Sequence, residues 1–204
     1  MITVHTLTLG DYQTNCYLVH HPDSHSCAVI DPGYEPETIL KKAADLGLTV
    51  DAVLLTHGHF DHVGGVEAIV KATNCRLWMS ESDWSQFPSP LTSCFYPLAN
   101  RDFTEVWFME DDEIIHAGGL TFTALSTPGH TYGSMCLLCE DALFSGDTLF
   151  AGSCGRTDLP GGDAKALRWS LERLSELPGD YRVYPGHGNS TTLSAEKRYN
   201  PYMN

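Results

Sequence analysis

The chain has few basic residues, and this shortage sets the first limit on its partners. Its 204 residues include 12 lysines and arginines against 26 aspartates and glutamates, which gives a formal net charge of −14. A surface with this charge repels the phosphate backbone of a nucleic acid, which basic side chains would have to neutralise. The composition therefore disfavours a nucleic-acid substrate.

Long apolar runs are also missing. No stretch approaches the ~20 consecutive apolar residues that a membrane-spanning helix needs. The first seven residues, 1–7, do not place a basic start before an apolar run, so no secretory signal is visible. We therefore expect a cytoplasmic protein that has no membrane partner.

The seven cysteines lack the even number and regular spacing of a disulfide framework. Cys136 and Cys139 form a Cys-x-x-Cys pair, but the apolar segment around them is typical of a strand. Residues i and i+3 of a strand point to opposite faces, so the two thiols are not expected to meet. The pattern predicts free buried thiols in a reducing compartment rather than a redox or metal site.

Length and composition indicate one globular domain. Apolar residues make up 42% of the chain and charged residues 19%, which is ordinary for a globular protein that buries a sizeable core. Two groups of short strands, each followed by amphipathic helices, predict an α/β (α+β) fold with two sheets and outer helices. The clearest helices span residues 35–46 and 164–177. Residues 86–104 hold three prolines and form either a lid or pocket wall, or a packed surface loop.

Metal-binding side chains are concentrated directly after the apolar run 52–55. The segment His57-Gly58-His59-Phe60-Asp61-His62 carries three imidazoles and one carboxylate, which are ligands that suit zinc and similar divalent metals. The run before it is typical of a buried strand, and the residues after it have helical spacing. A strand-to-helix loop can aim several of these side chains at one point, whereas a regular helix or strand with this spacing cannot.

Three further metal-competent residues follow predicted strands downstream. They are His130 in Thr127-Pro128-Gly129-His130, Asp147 in Gly146-Asp147-Thr148, and His187 in Pro185-Gly186-His187-Gly188. The flanking glycines and prolines fix turns and let the backbone approach closely. Each residue alone would more often be an ordinary turn residue, but four such strand ends together predict a metal site. Five histidines and two aspartates are enough ligands for two metals.

These motifs resemble those of the metallo-β-lactamase superfamily, and specifically the short members of its glyoxalase II-like (hydroxyacylglutathione hydrolase-like) branch. The segments 146–150 and 155–163 and the motif around His187 carry the likeness to that branch. The resemblance implies a four-layer αββα sandwich. It also implies that residues 1–204 form a single metallo-hydrolase domain without the C-terminal helical domain through which full-length glyoxalase II contacts glutathione.

The resemblance also implies a role for each site residue. His57, His59 and His130 would hold a first metal, Asp61, His62 and His187 a second, and Asp147 would bridge the two. The metals would be zinc, with iron and manganese as alternatives. Asp61 would also orient the metal-bridging hydroxide, and Phe150 and Arg156 would bind substrate. For Arg156 two interpretations stay open, because it can contact a substrate carboxylate or pair with Asp158 and hold its own loop.

The implied function is hydrolysis of a small-molecule thioester similar to S-lactoylglutathione. A persulfide dioxygenase with a single iron is the alternative from a different reaction class, and lactone and phosphodiester hydrolases are alternatives within hydrolysis. A β-lactamase is disfavoured, because most β-lactamases of this superfamily lack the bridging aspartate. A non-enzymatic metal-binding module is the least favoured alternative. The sequence identifies no protein partner, no oligomeric state and no native metal.

Overall fold

The computed structural model describes residues 1–86 and 105–203, so residues 87–104 of the proline-containing segment lie outside the described residues. The strands of the described part are β1 (Thr3–Leu9), β2 (Thr14–His20), β3 (Ser26–Ile30), β4 (Thr49–Leu54), β5 (Arg76–Met79), β6 (Val106–Phe108), β7 (Ile114–Ala117), β8 (Leu120–Ser126), β9 (Met135–Cys139), β10 (Ala142–Gly146), β11 (Leu149–Phe150), β12 (Ser153–Cys154), β13 (Arg182–Pro185) and β14 (Thr191–Thr192). The helices are α1 (Pro36–Asp45), α2 (Phe60–Val63), α3 (Val66–Thr73), α4 (Glu81–Trp84), α5 (Ala164–Glu176) and α6 (Leu193–Tyr199).

Six strands form the first sheet, in the order β1-β2-β3-β4-β5-β6. The first three are antiparallel neighbours, whereas β4, β5 and β6 continue parallel to β3. Parallel neighbours need crossover connections, and α1 and α3 lie within the first two of these. The strands β3 and β4 therefore end at the same edge of the sheet.

The second sheet has the order β14-β13-β10-β9-β8-β7. Strands β7 to β10 form an antiparallel meander, and β13 joins β10 in parallel after the crossover through α5. The two-residue strands β11 and β12 pair separately as a small hairpin. Strands β10 and β13 consequently end side by side.

Alternation along the strands divides the buried apolar side chains among three layers. In β4, Val53 packs in a cluster with Ile39 of α1, while Leu54 points the other way and packs in the cluster between the sheets. Behind the second sheet, Leu143 packs in a third cluster with Leu171 of α5. The order is helix, sheet, sheet, helix, which confirms the expected αββα sandwich.

The prediction that Cys136 and Cys139 point to opposite faces and stay free is also confirmed. Cys136 and Cys139 lie in two different clusters, on opposite faces of β9. Burial raises the pKa of their thiols to about 11 and about 12 respectively. Each of the six cysteines in the described ranges is free.

The predicted helices 35–46 and 164–177 correspond to α1 and α5 within two residues. Three differences stand out. Neither strand β7 nor helix α6 is predicted from the sequence, and Asp61 and His62 lie on the short helix α2 rather than in a loop. No helix within the described ranges is long and apolar enough to cross a membrane.

Candidate metal centre

The seven predicted ligands lie together at one end of the sandwich. They are His57 and His59 after β4, Asp61 and His62 on α2, His130 after β8, Asp147 after β10, and His187 after β13. Five of them are buried, and Asp147 and His187 are half-buried. The sheets are joined here by a hydrogen bond of 2.8 Å, which the backbone amide of Asn15 donates to the carbonyl of Gly186. Turns from both sheets therefore bring the side chains to one point.

Three histidines form the first group. The ring nitrogens of His57, His59 and His130 lie within 4.8 Å of one another, and Nδ1 of His59 is 2.8 Å from Nε2 of His130. Nε2 of His57 is buried without a hydrogen-bond partner among the described residues. Burial, aided by the neighbouring histidines, lowers the pKa of His59 to about 3 and that of His57 well below its usual value. The rings of His57 and His59 are therefore neutral, which is the form that binds a divalent metal.

Asp61, His62 and His187 form the second group, also within 4.8 Å. Oδ2 of Asp61 lies 3.2 Å from Nε2 of His187 and 3.6 Å from Nε2 of His62. Burial alone would lower the pKa of His62, but the carboxylates of Asp147 and Asp31 outweigh it and raise the pKa to about 9. This group therefore holds positive charge among carboxylates when no metal is bound.

Asp147 lies between the two groups. One of its oxygens, Oδ2, is 3.5 Å from Nε2 of His130, and the other, Oδ1, is 3.5 Å from Nε2 of His62. Oδ1 is buried and accepts no hydrogen bond from the described residues. The structure thus brings the seven predicted side chains together, with Asp31, His57 and His62 as a further group of close ring nitrogens and carboxylate oxygens, and a buried acceptor with no donor among the described residues fits a bound cation.

Asp31, at the carboxyl end of β3, fixes the second group and was not recognised in the sequence. Its Oδ2 lies 2.9 Å from Nδ1 of His62, and its Oδ1 accepts the backbone amide of Thr56 at 2.8 Å. The pair leaves Nε2 of His62 facing Asp147. Such carboxylate–histidine pairs orient metal ligands in proteins. The one sequence signal is an aspartate placed directly before Pro32 and Gly33 at a strand end.

Asp83 of α4 fixes the first group and was likewise missed. This fully buried carboxylate accepts hydrogen bonds of 2.8 Å from the backbone amide of Gly58, the hydroxyl of Thr131 and the backbone amide of Gly133. Gly58 separates His57 from His59, and Thr131 follows His130. Asp83 therefore ties together the two loops that carry the first group.

Backbone carbonyls orient two more of the histidines. Nδ1 of His130 lies 2.8 Å from the carbonyl oxygen of Arg156, and Nδ1 of His187 lies 3.2 Å from that of Tyr12. In each case Nδ1 donates outward, and Nε2 faces the centre. The side chain of Arg156 pairs with Asp158 through two hydrogen bonds of 2.7 Å, as the loop-holding interpretation expects.

A cavity of about 610 Å³ opens over the two groups. Tyr12, Phe60, Phe150 and Leu159 give it an apolar side, and the ring of Phe150 stands edge-on to His187 at 6.2 Å. Among the described lining residues, Arg156 alone carries a permanent positive charge. Phe150 and Arg156 both border the site, so their contact with substrate stays a prediction that the geometry permits.

The αββα fold and the paired groups of histidine and aspartate define a metal-dependent hydrolase. The family model of the Metallo-beta-lactamase superfamily matches residues 9–187, and the chain belongs to this superfamily. Among curated proteins, it is 36% identical over 210 residues to hydroxyacylglutathione hydrolase GloC of Haemophilus influenzae, covering 100% of this chain and 99% of that protein.

Three solved structures are similar over nearly the whole chain. The B3 metallo-beta-lactamase BLEG-1 has a TM-score of 0.86 and 33% identity, covering 100% of this chain and 99% of that one. TTHA1623 in a di-iron-bound form has a TM-score of 0.82 and 40% identity, covering 98% and 100%. ETHE1 from Myxococcus xanthus has a TM-score of 0.81 and 32% identity, covering 98% and 83%.

Proposed function

We propose that the chain is a binuclear metal-dependent thioester hydrolase that acts on a hydroxyacylglutathione-like substrate. The observation that carries the binuclear centre is the position of Asp147, whose two oxygens approach one histidine of each ligand group. The identity with GloC over the full length of both chains supports a thioester as the substrate.

The donor set suits two zinc ions, with iron as the nearest alternative. Three imidazoles form a typical zinc site, and the di-iron form of TTHA1623 supports iron at a centre of this kind. Bound as a pair, such metals lower the pKa of a shared water and polarise a carbonyl oxygen.

The chain itself supplies positioning. Asp61 is held by the hydroxyl of Thr14, which donates to its Oδ2 at 3.0 Å, so the carboxylate keeps one orientation at the centre. An oriented carboxylate there can hold the attacking water by accepting one of its protons in a hydrogen bond. The apolar side of the cavity, formed by Tyr12, Phe60 and Phe150, can pack against the acyl group and exclude bulk water.

The test is metal analysis followed by a thiol-release assay. We expect two metals per chain in protein purified without chelator, and rapid release of glutathione from S-lactoylglutathione. Two metals without thiol release from S-lactoylglutathione or from other thioesters would overturn the thioester assignment. In that case lactones, phosphodiesters and β-lactams become the substrates to assay, the last because of the likeness to BLEG-1.

A second candidate is an oxygenase with a single iron. Asp61, His62 and His187 form a group of two histidines and one carboxylate, which is the ligand set of many non-haem iron oxygenases. The likeness to ETHE1 supports the comparison. One iron per chain together with oxygen consumption in the presence of glutathione persulfide would establish this candidate and exclude the first.

A further inference from the structure

A second cavity, of about 620 Å³, adjoins the one over the metal centre. Cys154 and Arg156 line both cavities, so the two share a wall. Its volume falls within the ~300–1,000 Å³ of typical ligand pockets. The reaction proposed at the metal centre does not by itself say which part of a ligand would occupy this second cavity.

The cavity has an apolar floor and a cationic rim. Leu167 and Leu171 of α5 are buried at its base. Arg156 and Arg168 supply two positive charges, and Glu172 supplies one negative charge. Asp158, which is not a lining residue, neutralises Arg156, so Arg168 is the cationic group of the rim that can meet an anion on a chain whose net charge is −14. An exposed guanidinium beside an apolar floor suits a ligand that has an apolar stem and an anionic end.

Arg168 is available for such a ligand. Its side chain is exposed on α5 and forms no hydrogen bond or ion pair with any residue in the described ranges. Arg156 instead donates two hydrogen bonds to the carboxylate of Asp158. Tyr202, also exposed, adds a hydroxyl at the same cavity. A guanidinium whose donors meet no partner in the described part of the chain is suited to a carboxylate or phosphate.

The geometry points to the second cavity as the site for the thiol half of the substrate, an elongated thiol with an anionic end group. The acyl carbon would lie over the metal centre and the thiol chain would pass Cys154 and Arg156. Its apolar middle would rest on Leu167, and its carboxylate or phosphate would pair with Arg168. This inference rests on the proposed thioester hydrolysis and names the part of the substrate that gives it specificity.

The binding of two probes that lack a free thiol tests the inference without turnover. S-methylglutathione carries carboxylates and desulfo-coenzyme A carries phosphates, and neither has a thiol that can bind metal. Their affinities for the metal-loaded full chain would be measured by isothermal titration calorimetry. We expect Arg168→Gln to weaken the better probe about tenfold, as for loss of a charged hydrogen bond. Ala164→Trp, which fills the cavity from an exposed position, should also weaken it.

Lys165→Gln is the matched control, since Lys165 is exposed on the same helix and is not a lining residue of the cavity. It should leave both affinities unchanged, and metal content should be equal in all variants. Tighter binding of S-methylglutathione identifies a carboxylate ligand, and tighter binding of desulfo-coenzyme A identifies a phosphate ligand. Either result supports the inference if both variants reduce the affinity.

Three results would overturn it. These are no binding of either probe to the wild type, unchanged affinities in both variants, and a loss in Arg168→Gln that Ala164→Trp does not share. The last would indicate a general effect of surface charge. Failure of the proposed function is a separate outcome, because it appears as wild-type protein that releases no thiol while its probe binding stays sensitive to both substitutions.

Discussion

His62 and Asp31 form a buried pair in which Nδ1 of the imidazole lies 2.9 Å from Oδ2 of the carboxylate. The carboxylate is itself held by the backbone amide and the hydroxyl of Thr56, at 2.8 and 2.6 Å. Thr56, which directly precedes His57, therefore fixes the orientation of His62 through Asp31. The two ligand groups are coupled through this network as well as through Asp147.

The first prediction removes the negative charge of that pair. Asp31→Asn keeps the side-chain volume but takes away an acceptor that His62 and Thr56 share. Loss of such a partner typically costs about 10–100-fold in metal affinity. We expect a loss of this size for one of two metals, measured by competition with a chromophoric chelator. Asp45→Asn, at an exposed pair with Lys41, should have no effect. An unchanged metal affinity in Asp31→Asn would contradict the positioning role.

The second prediction concerns pH. The pKa of His62 is raised from 6.5 to about 9, and that of His187 is also raised, despite the opposing effect of burial. The stability that these charged rings contribute to the metal-free protein is fully present below pH 6.5 and is lost as pH rises through 9. We therefore expect the free energy of unfolding of chelator-treated protein to fall between pH 6.5 and 9, as measured by urea titration.

The same shift predicts proton release when metal binds, since a histidine must be neutral to act as a ligand. Calorimetric metal titrations at pH 7.5 in two buffers of different ionisation enthalpy should differ in their apparent enthalpy. The Asp31→Asn variant should release fewer protons, because it lacks one carboxylate that raises the pKa of His62. Equal enthalpies in both buffers would show that His62 is already neutral.

The cluster of candidate ligands could be predicted from the sequence because each of them directly follows a strand or lies in one dense motif. A glycine directly precedes each of His130, Asp147 and His187. This local signal can be recognised without knowledge of the fold. Two sheets with outer helices could also be predicted, because the apolar run 52–55 and the helical spacing in 164–177 are local properties, whereas the four-layer order followed from the family resemblance. These features depend on near neighbours in the chain.

Asp31 and Asp83 could not be predicted because their roles depend on distant partners. Asp83 accepts hydrogen bonds from Gly58 and Gly133, which lie 25 and 50 residues away. In sequence it looks like an ordinary first-turn acid of α4, where Ser80 provides the cap. The strand β7 was missed for a related reason, since its burial is set by pairing with β8 and not by a long apolar run.

The third prediction removes one candidate ligand from each of the two groups. His57→Ala removes a ligand of the first group, and Asp61→Ala removes one of the second. We expect each variant to lose metal and more than about 100-fold in kcat/KM together, since a ligand contributes more than its supporting partner does. Elemental analysis and thiol release would be measured on the same samples. His116→Ala, at an exposed histidine of β7, is the control. Retained turnover in either ligand variant would overturn the assignment.

The fourth prediction uses two glycines on either side of His187. A Cβ atom on Gly186 would lie 2.2 Å from Oδ1 of Asp147 and 2.7 Å from Cε1 of His62. Gly186→Ala should therefore displace the carboxylate between the two groups. We expect loss of at least one metal and about 100-fold lower activity, comparable to removal of a supporting residue of a metal site.

Gly188→Ala is the matched control for that variant. Gly188 has φ of +76°, but a Cβ atom there would meet nothing within 4 Å. Its replacement should cost about 1 kcal/mol of stability through backbone strain and leave the metal centre intact. Thermal unfolding, metal content and thiol release would be compared for both variants. If the close approach of Gly186 to Asp147 is required, Gly186→Ala loses metal and activity while its Tm changes only modestly. Gly188→Ala then has a lower Tm but keeps its metal and its activity. Equal metal content and activity in the two variants would show that the close approach of Gly186 to Asp147 is not required.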